Sequence, residues 1–412
     1  IDYRNGPGRQ ILTLVVIPIG TGAVVGCANL FPESGWVALP ALTIWWGSLG
    51  FVSLRAKAVG AALFGVSSFG VTWHWVLPAF QDPGYAAYGI AWSVPSLLLF
   101  VLVAVFATSV VLAEKCSVWV PSWIGVPILV SIVEAVVPTV FGLPFPPVTL
   151  ALLDTPLSAA AAFGGQPMLS LVTLLLATGL VTVVKRPVIA ALCVSIGLHM
   201  FPEGGQGAFT DQTVALVQTG RVAETGFKET GFSDHIQTLL GRTAENNPDI
   251  IILPENAVRV PILAASFDGS LVKNDIPILF GAPRDTLAER GRYTVSAFLI
   301  GGSKTRAVYD KRHLVPFFET NPLPSLFPGL SPLRNGSAQT VVSYNEVFAV
   351  LPLLCFEVLF PVSHGSTDSR PDWIALLSSD RHFRSGVGQA VLLGFSRLRA
   401  VETGLPVLRA SD

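Results

Sequence analysis

The chain has 412 residues, of which 51% are hydrophobic and only 13% charged, and its net charge is −1. That balance speaks against direct nucleic-acid binding, and the absence of internal repeats and low-complexity tracts speaks against a solenoid or a disordered linker. The average also hides a division at about residue 204, because nearly all the charge lies after it.

Before that point come apolar runs of about the twenty residues needed to span a bilayer. They lie at roughly 11–31, 36–54, 58–80, 84–113, 116–140, 167–184 and 187–203, and they predict seven spanning helices, the second and the last being short. Lys and Arg occupy alternate junctions: Arg4 and Arg9, then Arg55 and Lys57, then Lys115, then Lys185 and Arg186. The other junctions carry Glu33, Asp82 and Asp154. Because cytoplasmic loops retain positive charge, this alternation predicts an internal N-terminus and places everything after the seventh run outside, in the periplasm of a Gram-negative cell. The first run lacks a small-residue cleavage site and reads as an anchor.

Cys27, Cys116 and Cys193 lie in or at the ends of these runs, where cysteine behaves as a small apolar side chain. Their spacing is not that of metal ligands, and no cofactor is expected. Glu134 lies inside the fifth run and has two readings. An ionisable group at membrane depth is a functional candidate by default, and a carboxyl near a helix end also serves to bond backbone or a neighbouring helix.

From about residue 210 short β-type runs alternate with helical stretches. Strands are predicted at 213–218, 250–253, 277–282, 293–302, 305–310, 347–355 and 373–378, several apolar on both faces, as in a covered sheet. Ser233 is a candidate N-cap for a helix carrying Ile236, Leu239 and Leu240 on one face and ending at Asn246, Asn247 and Pro248. A second helix is expected from about Gly388 to Thr403, and Gly301-Gly302-Ser303 reads as a hairpin turn. The expected architecture is a transmembrane helical domain over 1–206 and an α/β sandwich domain over 207–412.

Cys355, in `LLCFEVLFP`, is the only cysteine of the second half and has no internal disulfide partner. A thiol becomes a nucleophile when a base takes its proton or a cation stabilises the thiolate. Glu255 in `ILPENAV` and Lys311 in `YDKRHLVPFFE` supply an acid and an amine at predicted strand ends. A carboxylate at the rim of a buried sheet is pushed toward the pKa of a working base, and a fixed ammonium serves an oxyanion. Taken singly, each has a plainer explanation: a packed core cysteine, a helix-capping glutamate, a solvated turn lysine. Their shared context decides between the two.

That context resembles the nitrilase, or carbon-nitrogen hydrolase, superfamily, in the membrane branch typified by apolipoprotein N-acyltransferase. Pro254-Glu255 resembles the branch's Pro-Glu motif, Tyr309 through Lys311 and `LVPF` to Glu319 its long lysine motif, and Cys355-Phe356-Glu357 its Cys-aromatic-Glu motif. `GLPF` at 142–145, `VALVQ` at 214–218, `SSDRHF` at 378–383 and `RAVE` at 399–402 are weaker matches. The resemblance implies an α-β-β-α sandwich and a catalytic set of Glu255, Lys311 and Cys355. It implies supporting roles for Glu319, Glu357 and Phe356. The reaction it implies passes an acyl chain from a phospholipid through a cysteine thioester to the amine of a lipoprotein.

Several positions depart from the branch. Phe318 replaces a glycine before the loop glutamate; Ser379, Asp380, Arg381, His382, Phe383 and Arg384 stand where the branch has Asn-Asp-x-Trp-Phe-Gly; Ala390 and Val295 replace a histidine and an asparagine. Phe318, Asp380 and His382 are therefore candidate substrate-binding residues. The branch also continues past the position of Asp412 with further strands and a last membrane helix, which makes this domain resemble a truncated one. The departures equally resemble TraB-type proteins of conjugative plasmid transfer. Three readings stay open: a bacterial inner-membrane N-acyltransferase, a triad protein acting on a conjugation-system component, and a structural subunit with a relic site.

Overall fold

The computed structural model describes residues 11–50, 52–80, 90–145, 148, 150–183, 212–219, 234–258, 276–285, 293–301, 304–321, 325, 333–345, 347–362, 370–380 and 386–412. In chain order its main elements are α1 (Ile17–Leu30), α2 (Ala38–Leu49), α3 (Leu54–Trp73), α4 (Ile90–Lys115), α5 (Ser122–Phe141), α6 (Ala161–Val183), β1 (Val214–Leu216), α7 (Asp234–Ala244), β2 (Ile250–Ile252), β3 (Ile278–Asp285), β4 (Tyr293–Gly301), β5 (Lys304–Asp310), β6 (Val342–Tyr344), β7 (Phe348–Leu354), β8 (Trp373–Ser378), α8 (Gly386–Thr403) and β9 (Val407–Ser411). They form two compact units, one of residues 1–206 with 383–404 and the other of residues 207–382 with 405–412.

Among the described residues of the helical unit, five helices are long and apolar enough to cross a membrane: Leu12–Leu30, Leu54–Val76, Trp92–Val118, Ser122–Val140 and Pro156–Thr182. The expectation of seven differs at the second apolar run, whose first two residues close a 3-10 segment, Pro32–Val37, and whose helix, α2, has 12 residues. Twelve residues rise about 18 Å, well short of a bilayer core. Just ahead of the run, a Cβ at Gly35 would lie 1.8 Å from the carbonyl oxygen of Ala151. The seventh run lies outside the described residues, as do Ser233 and Cys193.

Close backbone contact holds α1 on α3. A Cβ at Gly22 would meet Ser67 Oγ at 2.2 Å and the Phe64 carbonyl at 2.5 Å, and one at Gly26 the Ser68 carbonyl at 2.7 Å. Spaced four apart, the two glycines share one face of α1, the small-residue arrangement by which helices associate where lipid removes the hydrophobic drive. Trp45 then stacks on Phe64 at 4.4 Å, and Phe106, Phe69 and Phe145 continue the aromatic core.

Some buried polar groups in this unit bond backbone of neighbouring segments. Asn29 Oδ1 accepts from the Ala151 N–H at 3.0 Å, and Thr178 donates to the Trp123 carbonyl at 2.8 Å. Glu134 accepts from the Val148 N–H at 3.2 Å and is bonded by the side chains of Ser170 and Gln166, which is the helix-bridging reading of that residue. Helix α6 breaks at Gly164-Gly165, and the freed N–H of Gln166 is taken by Glu402 of α8 at 2.9 Å. Arg399, one turn away and fully buried, pairs with Glu402 at 2.8 Å.

The other unit is built on two sheets, ordered β1-β2-β3-β4-β5 and β6-β7-β8-β9. Strands β1, β2 and β3 run parallel, and β4 and β5 return antiparallel. In the second sheet β7, β8 and β9 are parallel and β6 is an antiparallel edge. The facing sides interdigitate through Ile250, Ile252, Leu279, Leu299, Val350, Leu354, Ala375 and Leu377, while the far side of the first sheet packs Ile251, Leu253, Phe280 and Phe298 against Leu240 of α7. Burial of a strand on both faces is why `IIIL` and `WIALLS` read as continuous apolar runs. Two strands, β6 and β9, of three and five residues, were not expected from the sequence. Neither carries a continuous apolar run: β6 reads `VSY`, and β9, `VLRAS`, places Arg409 at its centre.

Candidate active site

Three strand ends deliver the expected residues to one place. Glu255 follows β2 in a turn whose Pro254 carbonyl accepts from the N–H of Gly281 at 3.1 Å. Lys311 follows β5, where the register against β4 shifts between Ala297 and Phe298. Such a bulge re-aims the residues beyond it. Cys355 follows β7 and opens a 3-10 turn, Cys355–Leu359.

Lys311 is wholly buried, and its Nζ lies 2.8 Å from Glu255 Oε1 and 2.7 Å from Glu319 Oε1. Glu319 Oε2 in turn accepts from the Val315 N–H at 2.8 Å, closing the loop after Lys311 on itself. Burial lowers the pKa of such an amine, but Glu255 and Glu319 outweigh it and raise it well above its ordinary value, which holds the ammonium charged. Glu255 is governed by burial, which Lys311 only partly offsets, and its pKa is raised to about 7. Burial also pushes the Cys355 thiol up, Glu255 adds to that, and Lys311 opposes it. The resting centre at neutral pH is thus a thiol, a charged lysine and a carboxylate poised to change state.

Cys355 takes a φ of +47°, in the left-handed region that a non-glycine side chain adopts at a cost of about 1 kcal/mol or more. The strain is held by Glu357. Its Oε2 accepts from the Leu354 N–H at 2.8 Å; its Oε1 accepts from the Tyr309 hydroxyl at 2.6 Å and from the N–H groups of Arg312 at 2.7 Å and His313 at 3.2 Å. One buried carboxylate therefore ties the cysteine turn to the lysine segment. Phe356 is half-buried and lies edge-on to Phe360 with centroids 5.3 Å apart, and His313 stacks on the same Phe360 at 4.0 Å.

The expected substrate-binding residues divide. Phe318 is half-buried in the loop between Lys311 and Glu319, its N–H donating to the Val315 carbonyl at 3.2 Å. Asp380 is turned inward, where it pairs with Arg409 and accepts from Ser378 Oγ at 2.6 Å. His382 lies outside the described residues, as do Arg381, Phe383 and Arg384. Among the described residues no group of three or more His, Cys, Asp or Glu side chains is arranged to hold a metal ion.

Sequence reasoning missed two glycines that shape the site. A Cβ at Gly281 would sit 2.3 Å from the carbonyl oxygen of Glu255, so β3 can approach the glutamate turn only at a glycine. At Gly336 it would sit 2.0 Å from the Asp310 carbonyl oxygen, and the Gly336 N–H donates to the Lys311 carbonyl at 2.7 Å. The first was signalled by a glycine within the apolar run `PILFGA`, a sign of close backbone approach. Nothing in the local pattern signalled the second.

With this geometry in view, comparison with known proteins is specific. Residues 21–179 match the family model of the apolipoprotein N-acyltransferase N-terminal domain. The chain is similar to apolipoprotein N-acyltransferases. That of Bradyrhizobium diazoefficiens is 34% identical over a stretch covering 32% of this chain and 26% of the relative, so the match spans about a quarter of that protein's length. That of Haemophilus ducreyi is 24% identical across 98% of this chain and 86% of the relative. Among solved structures, an amidase from Nesterenkonia sp. is 18% identical, covers 50% of this chain and 79% of its own, and superposes with a TM-score of 0.34. These relatives do not favour the conjugal-transfer reading. The chain is a membrane protein with a helical region and an α/β region.

Proposed function

We propose that the protein is a membrane-bound N-acyltransferase that moves an acyl chain from a phospholipid, through a thioester on Cys355, to the amine of a lipoprotein. The observation that carries the reading is the buried ammonium of Lys311 bridging Glu255 and Glu319 beside the strained Cys355 turn. A buried cation so held, next to a carboxylate near neutrality and a thiol, forms a unit suited to acyl transfer.

The steps follow from these positions. Glu255 takes the Cys355 proton, and the thiolate attacks the ester carbonyl of the phospholipid. Lys311 stabilises the oxyanion, a fixed charge in a dry site being worth far more than in water. The C–O bond then breaks, the lysophospholipid oxygen takes the proton from Glu255, and a thioester remains. The α-amine of the lipoprotein's lipid-bearing cysteine attacks the thioester and Glu255 accepts the amine proton. Collapse forms the amide and returns the thiolate, which regains its proton from Glu255. The apolar helices suit a reaction in which both substrates are anchored in lipid, and the charge alternation of the loops supports a periplasmic α/β region.

The test is to incubate membranes with an alkyne-tagged phospholipid and look for a hydroxylamine-labile label on Cys355. Label that is lost in Cys355→Ser supports the reading. Its absence from folded wild-type protein would remove it.

A further inference from the structure

A second polar chain ends at the same sulfur. Ser378, the last residue of β8, is wholly buried, with its Oγ 3.8 Å from Cys355 Sγ and 2.6 Å from Asp380 Oδ1. The other oxygen of Asp380 pairs with Arg409 of β9. Its backbone N–H donates to Asp412 Oδ1 at 2.8 Å, and Ser379 Oγ donates to Asp412 Oδ2 at 3.0 Å. Both carboxylate oxygens of Asp380 are therefore engaged within the fold.

A serine hydroxyl has one proton and two lone pairs. An O–H···O⁻ contact of 2.6 Å is of the short, charge-assisted kind, whereas sulfur at 3.8 Å is a weak partner. The proton therefore lies toward Asp380, and the oxygen turns a lone pair to Cys355. The bond between them then runs from S–H to Oγ.

We propose that Ser378 is a positioning residue for the nucleophile, made into an acceptor by Asp380, which holds Cys355 as a protonated thiol directed at β8 until Glu255 takes the proton. This deepens the acyl-transfer reading and rests on it for its purpose. The thiol stays unreactive toward stray electrophiles between turnovers. Asp380 acts here through Ser378 and not at the substrate. The charged groups around the sulfur are Glu255 after β2, Lys311 after β5 with Glu319 upon it, Asp380 after β8 with Arg409 and Asp412 behind it, and Glu357 one turn on. All of them remain in Ser378→Ala, so a change in thiol behaviour there belongs to the hydroxyl.

The experiment uses the full chain in detergent micelles and follows iodoacetamide modification of Cys355 by peptide mass spectrometry. In Ser378→Ala the thiol should react roughly three- to tenfold faster at pH 7, the size of one lost weak hydrogen bond to the neutral form. Ser378→Thr, which keeps the hydroxyl, should react at the wild-type rate. An unchanged or slower rate in Ser378→Ala would overturn the inference, since a slower one means that the hydroxyl donates to the thiolate. A second measurement leaves Ser378 untouched. The infrared S–H band of Cys355, taken as wild type minus Cys355→Ala, should lie below that of an unbonded thiol, and a band at the unbonded position overturns the inference as well. Neither readout needs lipid or turnover, so failure here leaves acyl transfer standing, and failure of the phospholipid label leaves these results intact.

Discussion

The two units bury ionisable groups in opposite ways. In the helical unit Glu134 accepts from the Val148 N–H, and Arg399 pairs within its own helix with Glu402, the glutamate that caps the break in α6. In the α/β unit Glu255, Lys311, Glu357 and Asp380 are buried together around one sulfur. Within that second group there is a division between packing and chemistry: Glu357 is spent on backbone N–H groups and the Tyr309 hydroxyl, whereas Glu255, facing the Lys311 ammonium, is the carboxylate proposed to exchange a proton.

The comparison breaks first at Glu255. Glu255→Gln keeps the shape and a hydrogen-bond acceptor for Lys311 but removes the base, and loss of general-base catalysis lowers rates by roughly 10²–10⁴. Acyl-enzyme formation on Cys355, followed in single-turnover labelling, should fall by that factor. In the wild type the same rate should rise with pH through about 7, because below that value Glu255 holds its proton and cannot accept the thiol's. A rate that is flat between pH 5 and 8 would assign the proton to another group.

Lys311 sharpens the contrast in stability. Lys311→Ala leaves the buried Glu255 and the half-buried Glu319 without their cation, and breaking one side of a buried pair destabilises by about 3–5 kcal/mol. Denaturant unfolding of the detergent-solubilised chain measures it. Combining Lys311→Met with Glu255→Gln should recover much of the loss, because no uncompensated charge then remains at Glu255. If the single variant is as stable as wild type, the ammonium is not holding the site.

In the helical unit a comparable disruption comes from volume. Gly26→Val would drive side-chain carbon into the Ser68 carbonyl, and overpacking of this kind costs about 1–3 kcal/mol. Thermal unfolding in micelles should show the loss. The same change should leave the iodoacetamide reactivity of Cys355 at its wild-type value.

How much of this was legible in the sequence follows from the same division. The apolar runs and the continuous hydrophobic strands announced themselves because burial on both sides demands them. Glu255, Lys311 and Cys355 could be singled out as candidates because three separated motifs resemble one family, and each residue follows a strand end. The second apolar run looked long enough to span because hydropathy does not register where a helix stops: α2 ends at Leu49, and Ser53 already caps the next helix. Strands β6 and β9 were missed because each is short and mixed in polarity, and its place in the sheet depends on the partner strand. Ser378 was invisible as a functional residue. Its meaning depends on a 2.6 Å contact two positions along, and on a sulfur twenty-three positions away in sequence.

The smallest predicted effect tests whether the pH dependence belongs to Glu255 alone. His313 sits two residues from Lys311, and histidine is ordinarily the first suspect for a transition near pH 7. Here burial, aided by the neighbouring Arg312, lowers its pKa to about 4, so the ring is already neutral throughout the range in which Glu255 titrates. Its interplanar angle with Phe360 is 6°, and a phenyl ring would fill the same place. His313→Phe should therefore change stability by no more than about 0.5 kcal/mol, as substitutions outside special features do. The rise of the acylation rate through pH 7 should stay where it is. If the midpoint moves in His313→Phe, the imidazole and not the carboxylate is the group that titrates, and the division drawn above between packing and chemistry passes through the wrong residue.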